Sequence, residues 1–122
     1  MYGGKKVLIV DDSKLERHIL REITEALNFE VFEAETGELG VQRALEIKPD
    51  LILMDVVMPG MNGYQATRKI TTTDGLKNIP VIMCTSKSQT TDKIWGQRQG
   101  ASAYVVKPIN KDELIGEIKK LV

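Results

Sequence analysis

Short apolar runs recur along the chain: Val7-Leu8-Ile9-Val10, Leu51-Ile52-Leu53-Met54, Val81-Ile82-Met83-Cys84 and Tyr104-Val105-Val106. Runs without polar alternation mark strands covered on both faces, as in a parallel sheet. The pattern predicts strands near 5–10, 30–34, 50–54, 80–84 and 103–106. The second, Glu30-Val31-Phe32-Glu33-Ala34, partly alternates and suits a sheet edge. Between the runs the period lengthens to that of helices. The first helix, over about 13–27, carries a stripe of Leu15, Ile19, Ile23 and Leu27, with Leu20 and Ala26 alongside; Asn28 suits the left-handed end. The second, over 37–47, follows Thr36 as a cap and stops before Pro49. The third, over 63–72, follows Asn62 and ends before Asp74-Gly75. The fourth spans 89–99 and ends at Gly100. The fifth, over 111–121, starts from Asn110 with Glu113 in capping-box position, and should bury Leu114, Ile118 and Leu121.

Five strand–helix units with short connections imply one α/β domain over 1–122, a parallel sheet wound on both faces by right-handed crossovers. No linker, repeat or low-complexity tract breaks it, so any output is expected to leave through this domain's own surface. At 42% hydrophobic and 28% charged the composition suits a globular core. Seventeen basic and seventeen acidic residues cancel, which gives no bulk attraction to nucleic acid. One cysteine excludes an intramolecular disulfide. No apolar run nears the roughly 20 residues that span a bilayer, and no signal peptide is visible, so the expected location is the cytoplasm without membrane association.

The chemistry gathers at strand ends. Asp11 and Asp12 close the first strand, Asp55 the third, Thr85 follows the fourth and Lys107 the fifth. In an open parallel sheet, ligands bind outside these carboxyl ends. Three carboxylates on one rim repel unless their pKa values rise or a hard cation neutralises them. Oxygen-only ligands suit Mg²⁺ or Mn²⁺, and no set of His and Cys is present for zinc. Capping of the first helix is the plainer role for Asp11 and Asp12, but not for Asp55, which stands alone as a charge before Val56-Val57-Met58-Pro59-Gly60. A metal-bound aspartate can be a nucleophile toward phosphorus, with Lys107 completing the charge neutralisation and the Thr85 and Ser86 hydroxyls as donors. The bond before Pro108 can be cis, which would turn Lys107 inward.

Four strings resemble the motifs of response-regulator receiver domains of two-component signalling. They are Val7-Leu8-Ile9-Val10-Asp11-Asp12-Ser13, Leu53-Met54-Asp55 through Gly63, Pro80 through Ser86, and Gly100-Ala101-Ser102-Ala103-Tyr104-Val105-Val106-Lys107-Pro108. Together they cover essentially the whole chain in order. The resemblance implies a flavodoxin-like (βα)5 fold with strand order 2-1-3-4-5. It implies Asp55 as acceptor of a phosphoryl group from a histidine kinase or phosphotransfer domain. It further implies Mg²⁺ held by Asp11, Asp12, Asp55 and the carbonyl of Val57, and Lys107 paired with the phosphoryl group. Thr85 and Tyr104 would switch the face of helix four, strand five and helix five for a downstream protein target. Val57 and Lys87 occupy the two positions that tune hydrolysis. Such a protein is a signalling switch rather than a turnover enzyme, a monomer or a weak phosphorylation-dependent dimer.

Two other readings stand beside this one. A phosphorylation-independent adaptor would not need the five family positions, all present here. An aspartate-nucleophile phosphohydrolase would place a second Asp where Val57 stands. No Gly-rich phosphate loop supports nucleotide binding. Trp95 is expected in packing or, on an exposed face, as a partner anchor; its helix resembles those of single-domain chemotaxis and twitching-motility regulators. Lys14, Arg17, His18 and Arg21 form the outer face of the first helix, either solvated or, by the resemblance, beside the kinase. His18 is expected at the surface and Cys84 in inert packing.

Overall fold

The computed structural model describes residues 1–122. Strands β1 (Lys6–Val10), β2 (Glu30–Ala34), β3 (Leu51–Met54), β4 (Val81–Thr85) and β5 (Ala103–Val106) alternate with five helices. These are α1 (Lys14–Ala26), α2 (Gly37–Ile47), α3 (Gly63–Thr71), α4 (Thr90–Arg98) and α5 (Lys111–Leu121). All strand pairs are parallel and the order is β2-β1-β3-β4-β5, the doubly wound, flavodoxin-like sheet. The partly alternating β2 lies at an edge, as its pattern implies.

The side-chain period of two splits each strand between two cores. Val7, Ile9, Leu51, Leu53, Ile82 and Cys84 pack with Leu20, Ile23, Leu114 and Ile118 of α1 and α5. Leu8, Val10, Ile52, Met54 and Val81 pack with Val41, Ala44, Ala66 and Ile70 of α2 and α3. Each fully buried Leu or Ile contributes about 1.5–3 kcal/mol by leaving water. These two layers hold the strand ends rigidly at one rim.

Helix ends show which polar side chains are free for other work. Ser13 caps α1, its hydroxyl accepting the Glu16 amide at 3.3 Å, so neither Asp11 nor Asp12 is the helix cap. Asn28 takes the left-handed conformation after α1, with φ 72°. Thr36 caps α2, and Lys48, also left-handed, ends it before Pro49. Asn62 and Gln65 form a reciprocal capping box on α3. At α5 only half of the expected box forms: Asn110 accepts the Glu113 amide at 2.9 Å, with no return bond.

Two burial expectations fail. Leu15 is 68% exposed and Ala26 is also exposed. A repeat of strictly four residues drifts by about 40° per step on a helix of 3.6 residues per turn, so the stripe from Leu15 to Leu27 cannot all face the sheet. The buried face runs instead through Leu20, Ile23 and Thr24. Trp95 is 49% exposed on α4, so the packing expectation for it fails. Gly96, its neighbour, takes the inward position instead and is buried.

Candidate functional site

Main-chain bonds carry the sheet's order one step past the strands. The Asp55 amide donates to the Val10 carbonyl at 2.9 Å, and the Lys107 amide to the Thr85 carbonyl at 2.8 Å. Asp11 and Asp55 are thereby set side by side at the rim, one residue beyond the paired Val10 and Met54. Asp11 and Thr85 are fully buried and Asp55 is nearly so, while Asp12 is exposed. Carboxylate oxygens of Asp11, Asp12 and Asp55 lie within 4.8 Å of one another. Lys107 reaches in from β5: its Nζ lies 2.8 Å from Asp11 Oδ2 and 3.6 Å from Asp55 Oδ2. The Lys107–Pro108 bond is cis.

The approach of α3 is as tight as the acid pair. A Cβ on Gly63 would sit 1.9 Å from the Asp55 carbonyl oxygen and 2.7 Å from Val56 Cα. Only glycine lets the start of α3 lie against the Asp55 backbone, where its amide donates to the Val56 carbonyl at 2.9 Å. The Val56 amide donates to Asp55 Oδ1 at 2.8 Å, leaving Oδ2 on the Lys107 side.

Burial pushes the Asp55 carboxyl above its ordinary pKa, and the neighbouring Asp11 charge pushes the same way. Lys107, Thr85 and the Val56 amide oppose this without cancelling it. Burial alone would lower the Lys107 ammonium, but its hydrogen bond to Asp11 and the charges of Asp11 and Asp55 raise it overall. The site therefore holds a firmly charged amine beside a carboxylate short of positive charge. Hard oxygen donors with that deficit fit a hard divalent cation such as Mg²⁺. Asp11, Asp12 and Asp55 form the acidic set that could hold it.

The remaining expected residues surround this centre. Thr85 Oγ1 accepts the Lys87 amide at 3.3 Å. The Tyr104 hydroxyl donates to the Lys87 carbonyl at 2.8 Å, tying β5 to the loop after β4. Val57 and Lys87 are both exposed. Cys84 is fully buried, and burial raises its thiol far above the usual range, so it is inert packing.

One group was missed in the sequence. Arg17 donates Nη1 to the Asp11 carbonyl at 2.8 Å and Nε to Glu33 at 2.8 Å. Arg21 also pairs with Glu33, at 2.5 Å, and with Glu25. Arg17 and Arg21 are thus drawn onto β2, and the outer face of α1 presents Lys14 and His18 instead. Their four-residue spacing opposite an acid in the alternating strand was the available signal.

The response regulator receiver domain model matches residues 7–119. The chain belongs to the response-regulator receiver family. This receiver domain is 46% identical to protein PilH of Pseudomonas aeruginosa over 117 residues, 96% of this chain and 97% of that one. It is 35% identical to the chemotaxis protein CheY of Thermotoga maritima, over 97% of this chain and 98% of that protein. Among solved structures, the chemotaxis protein CheY4 of Vibrio cholerae superposes with a TM-score of 0.90 at 29% identity, covering 97% of this receiver and 98% of CheY4. No helix of the receiver is long and apolar enough to cross a membrane.

Proposed function

We propose that this receiver is a stand-alone, single-domain cytoplasmic switch, controlled by phosphorylation of Asp55 in a pathway of chemotaxis or twitching-motility type. The observation that carries this reading is the Lys107 ammonium, 2.8 Å from Asp11 and 3.6 Å from Asp55, beside three converging carboxylates. An amine so placed can meet an incoming phosphoryl oxygen next to the Asp55 carboxylate.

In the proposed reaction the Asp55 carboxylate attacks the phosphorus of a phosphohistidine on a kinase or phosphotransfer domain. The new O–P bond forms as the N–P bond breaks, and Asp55 carries an acyl phosphate. Asp11, Asp12, Asp55 and the Val57 carbonyl would hold Mg²⁺, which when bound supplies charge neutralisation. Lys107 steadies a phosphoryl oxygen, with the Thr85 hydroxyl as a neutral side-chain donor. The Val56 amide fixes one Asp55 oxygen and so orients the other.

Phosphorylation replaces the single carboxylate charge of Asp55 by the roughly 1.5–2 negative charges of the acyl phosphate, in a site that already lacks positive charge. Thr85 and Tyr104 connect that event to the surface, since both bond the backbone of Lys87. The face of α4, β5 and α5 is the proposed output for a protein target, with the receiver a monomer or a weak phosphorylation-dependent dimer. The receiver turns over only its own phosphoryl group; Val57 leaves no acid in place for phosphoester hydrolysis.

Incubation with acetyl phosphate and Mg²⁺, followed by intact-mass measurement, tests this reading. One phosphoryl adduct is expected, absent with chelator and absent in Asp55→Asn. An unmodified parent protein would leave the adaptor reading in its place.

A further inference from the structure

The helices α3 and α4 enclose a groove of about 470 Å³. It lies on the flank of α4 that carries Trp95 and Gln99, roughly opposite Lys93 and Gln97, which line the β5 side. Both ends of the groove are tied. The Tyr64 hydroxyl donates to the Asp92 carbonyl at 3.1 Å, and the Thr71 hydroxyl to the Gln99 carbonyl at 2.7 Å. The walls are therefore set before any partner arrives, which lowers the ordering cost of binding.

The lining is cationic as well as aromatic. Arg68 and Lys69 line the α3 wall, no acid lines the groove, and neither cation sits in an ion pair. Of the other acids, the Asp92 carboxylate accepts the Gln89 amide at 3.1 Å, its charge still felt at the Tyr64 end of the groove, and Asp74 pairs with Lys77. The chain as a whole is neutral, so this excess is local. Trp95, half exposed, offers a rigid apolar face beside these charges.

We infer that the α3–α4 groove is a second docking surface, which takes an acidic protein segment bearing an apolar or aromatic side chain against Trp95. Glutamate or aspartate side chains answer Arg68 and Lys69, and the apolar side chain covers the indole. A nucleic acid is the poorer fit, because two cations make no stripe that could follow a phosphate backbone. The surface is distinct from the α4–β5–α5 face and needs no phosphoryl group on Asp55, so its test is run on the unphosphorylated protein.

Trp95 is the single tryptophan of the chain and reports on its own groove. Its fluorescence is followed while adding synthetic glutamate-rich peptides with a central phenylalanine or leucine. Matched lysine-rich peptides and a short oligothymidylate serve as comparisons. A saturable, salt-sensitive shift is expected with the acidic peptides only. The double variant Arg68→Glu/Lys69→Glu should bind about tenfold more weakly. Lys111→Glu/Lys119→Glu on α5, with the same change in net charge, should bind as the parent does. All four side chains are exposed, and circular dichroism checks that both variants are folded. No saturable shift with either acidic peptide would overturn the inference. An equal response to lysine peptides or oligothymidylate, or equal weakening by the α5 reversals, would do so too.

Discussion

Replacing Asp55 by asparagine should stabilise the metal-free protein and destabilise it relative to the parent once Mg²⁺ is added. Two unit charges 4.8 Å apart, the outer limit of the acid cluster, repel by about 3.5 kcal/mol at an effective dielectric near 20. Lys107, 3.6 Å from Asp55, returns about 4.6 kcal/mol on the same scale. Asp11 and Lys107 thus nearly cancel, and burial tips the balance against the Asp55 anion. That is the direction in which the Asp55 pKa moves. Asparagine removes the charge and keeps an acceptor for the Val56 amide. The expected gain is about 1 kcal/mol, or about 4 °C for a domain of this size. Mg²⁺ at a hundred times its Kd should stabilise the parent by about 2.7 kcal/mol, and the variant by less, with one ligand fewer. Thermal unfolding in EDTA and in Mg²⁺ reads both effects. A variant that melts below the parent in EDTA would show that the Asp55 charge is no net cost to the metal-free fold, and the same order in both conditions would count against Mg²⁺ binding at Asp55.

Three further outcomes are expected. Gly63→Ala should cost at least about 3 kcal/mol in denaturant unfolding and slow labelling by acetyl phosphate, because the new methyl meets the Asp55 backbone at 1.9 Å; an undisturbed midpoint contradicts it. Val57→Asn and Lys87→Glu should each speed loss of the phosphoryl group, since a valine cannot orient water and a lysine can shield the phosphate; equal or slower decay contradicts it. For Glu33, burial acts to raise its carboxyl, but hydrogen bonds from Arg21 and Arg17 outweigh it and hold the pKa below the ordinary 4.5. A lowered folded pKa gives stability that is present above 4.5 and lost as pH falls through the folded value. Glu33→Gln should therefore cost about 1 kcal/mol at neutral pH and flatten the acid limb of the stability profile; parallel profiles contradict it.

The strand pattern was legible because uninterrupted apolar runs such as Leu51–Met54 have one stable place, between two helical layers. The rim followed from it, since Asp11 and Asp55 each come directly after a buried strand and Lys107 after the partly buried edge strand β5. Side-chain partners across the fold were not legible. Arg17 looks like any surface helix residue until Glu33 on β2 and the Asp11 carbonyl stand opposite it. Leu15 misled because local spacing does not fix the rotation of a helix on its sheet. Trp95 misled because composition favours burying an indole, whereas the inward position falls to Gly96, where even an added Cβ would come within 3.2 Å of Tyr104 and 3.4 Å of Met83.

In the proposed mechanism this carboxylate–amine cluster makes Asp55 the carrier of a reversible phosphoryl group. Borohydride reduction of the acetyl-phosphate-treated protein, followed by peptide mass spectrometry, tests it most directly, because reduction turns an acyl phosphate into homoserine at the modified residue. Homoserine at position 55 alone, lost when Lys107 is replaced by methionine or Mg²⁺ is removed, is the predicted result. Reduction at Asp11 or Asp12, or at no residue, would rule out Asp55 as the phosphoryl carrier.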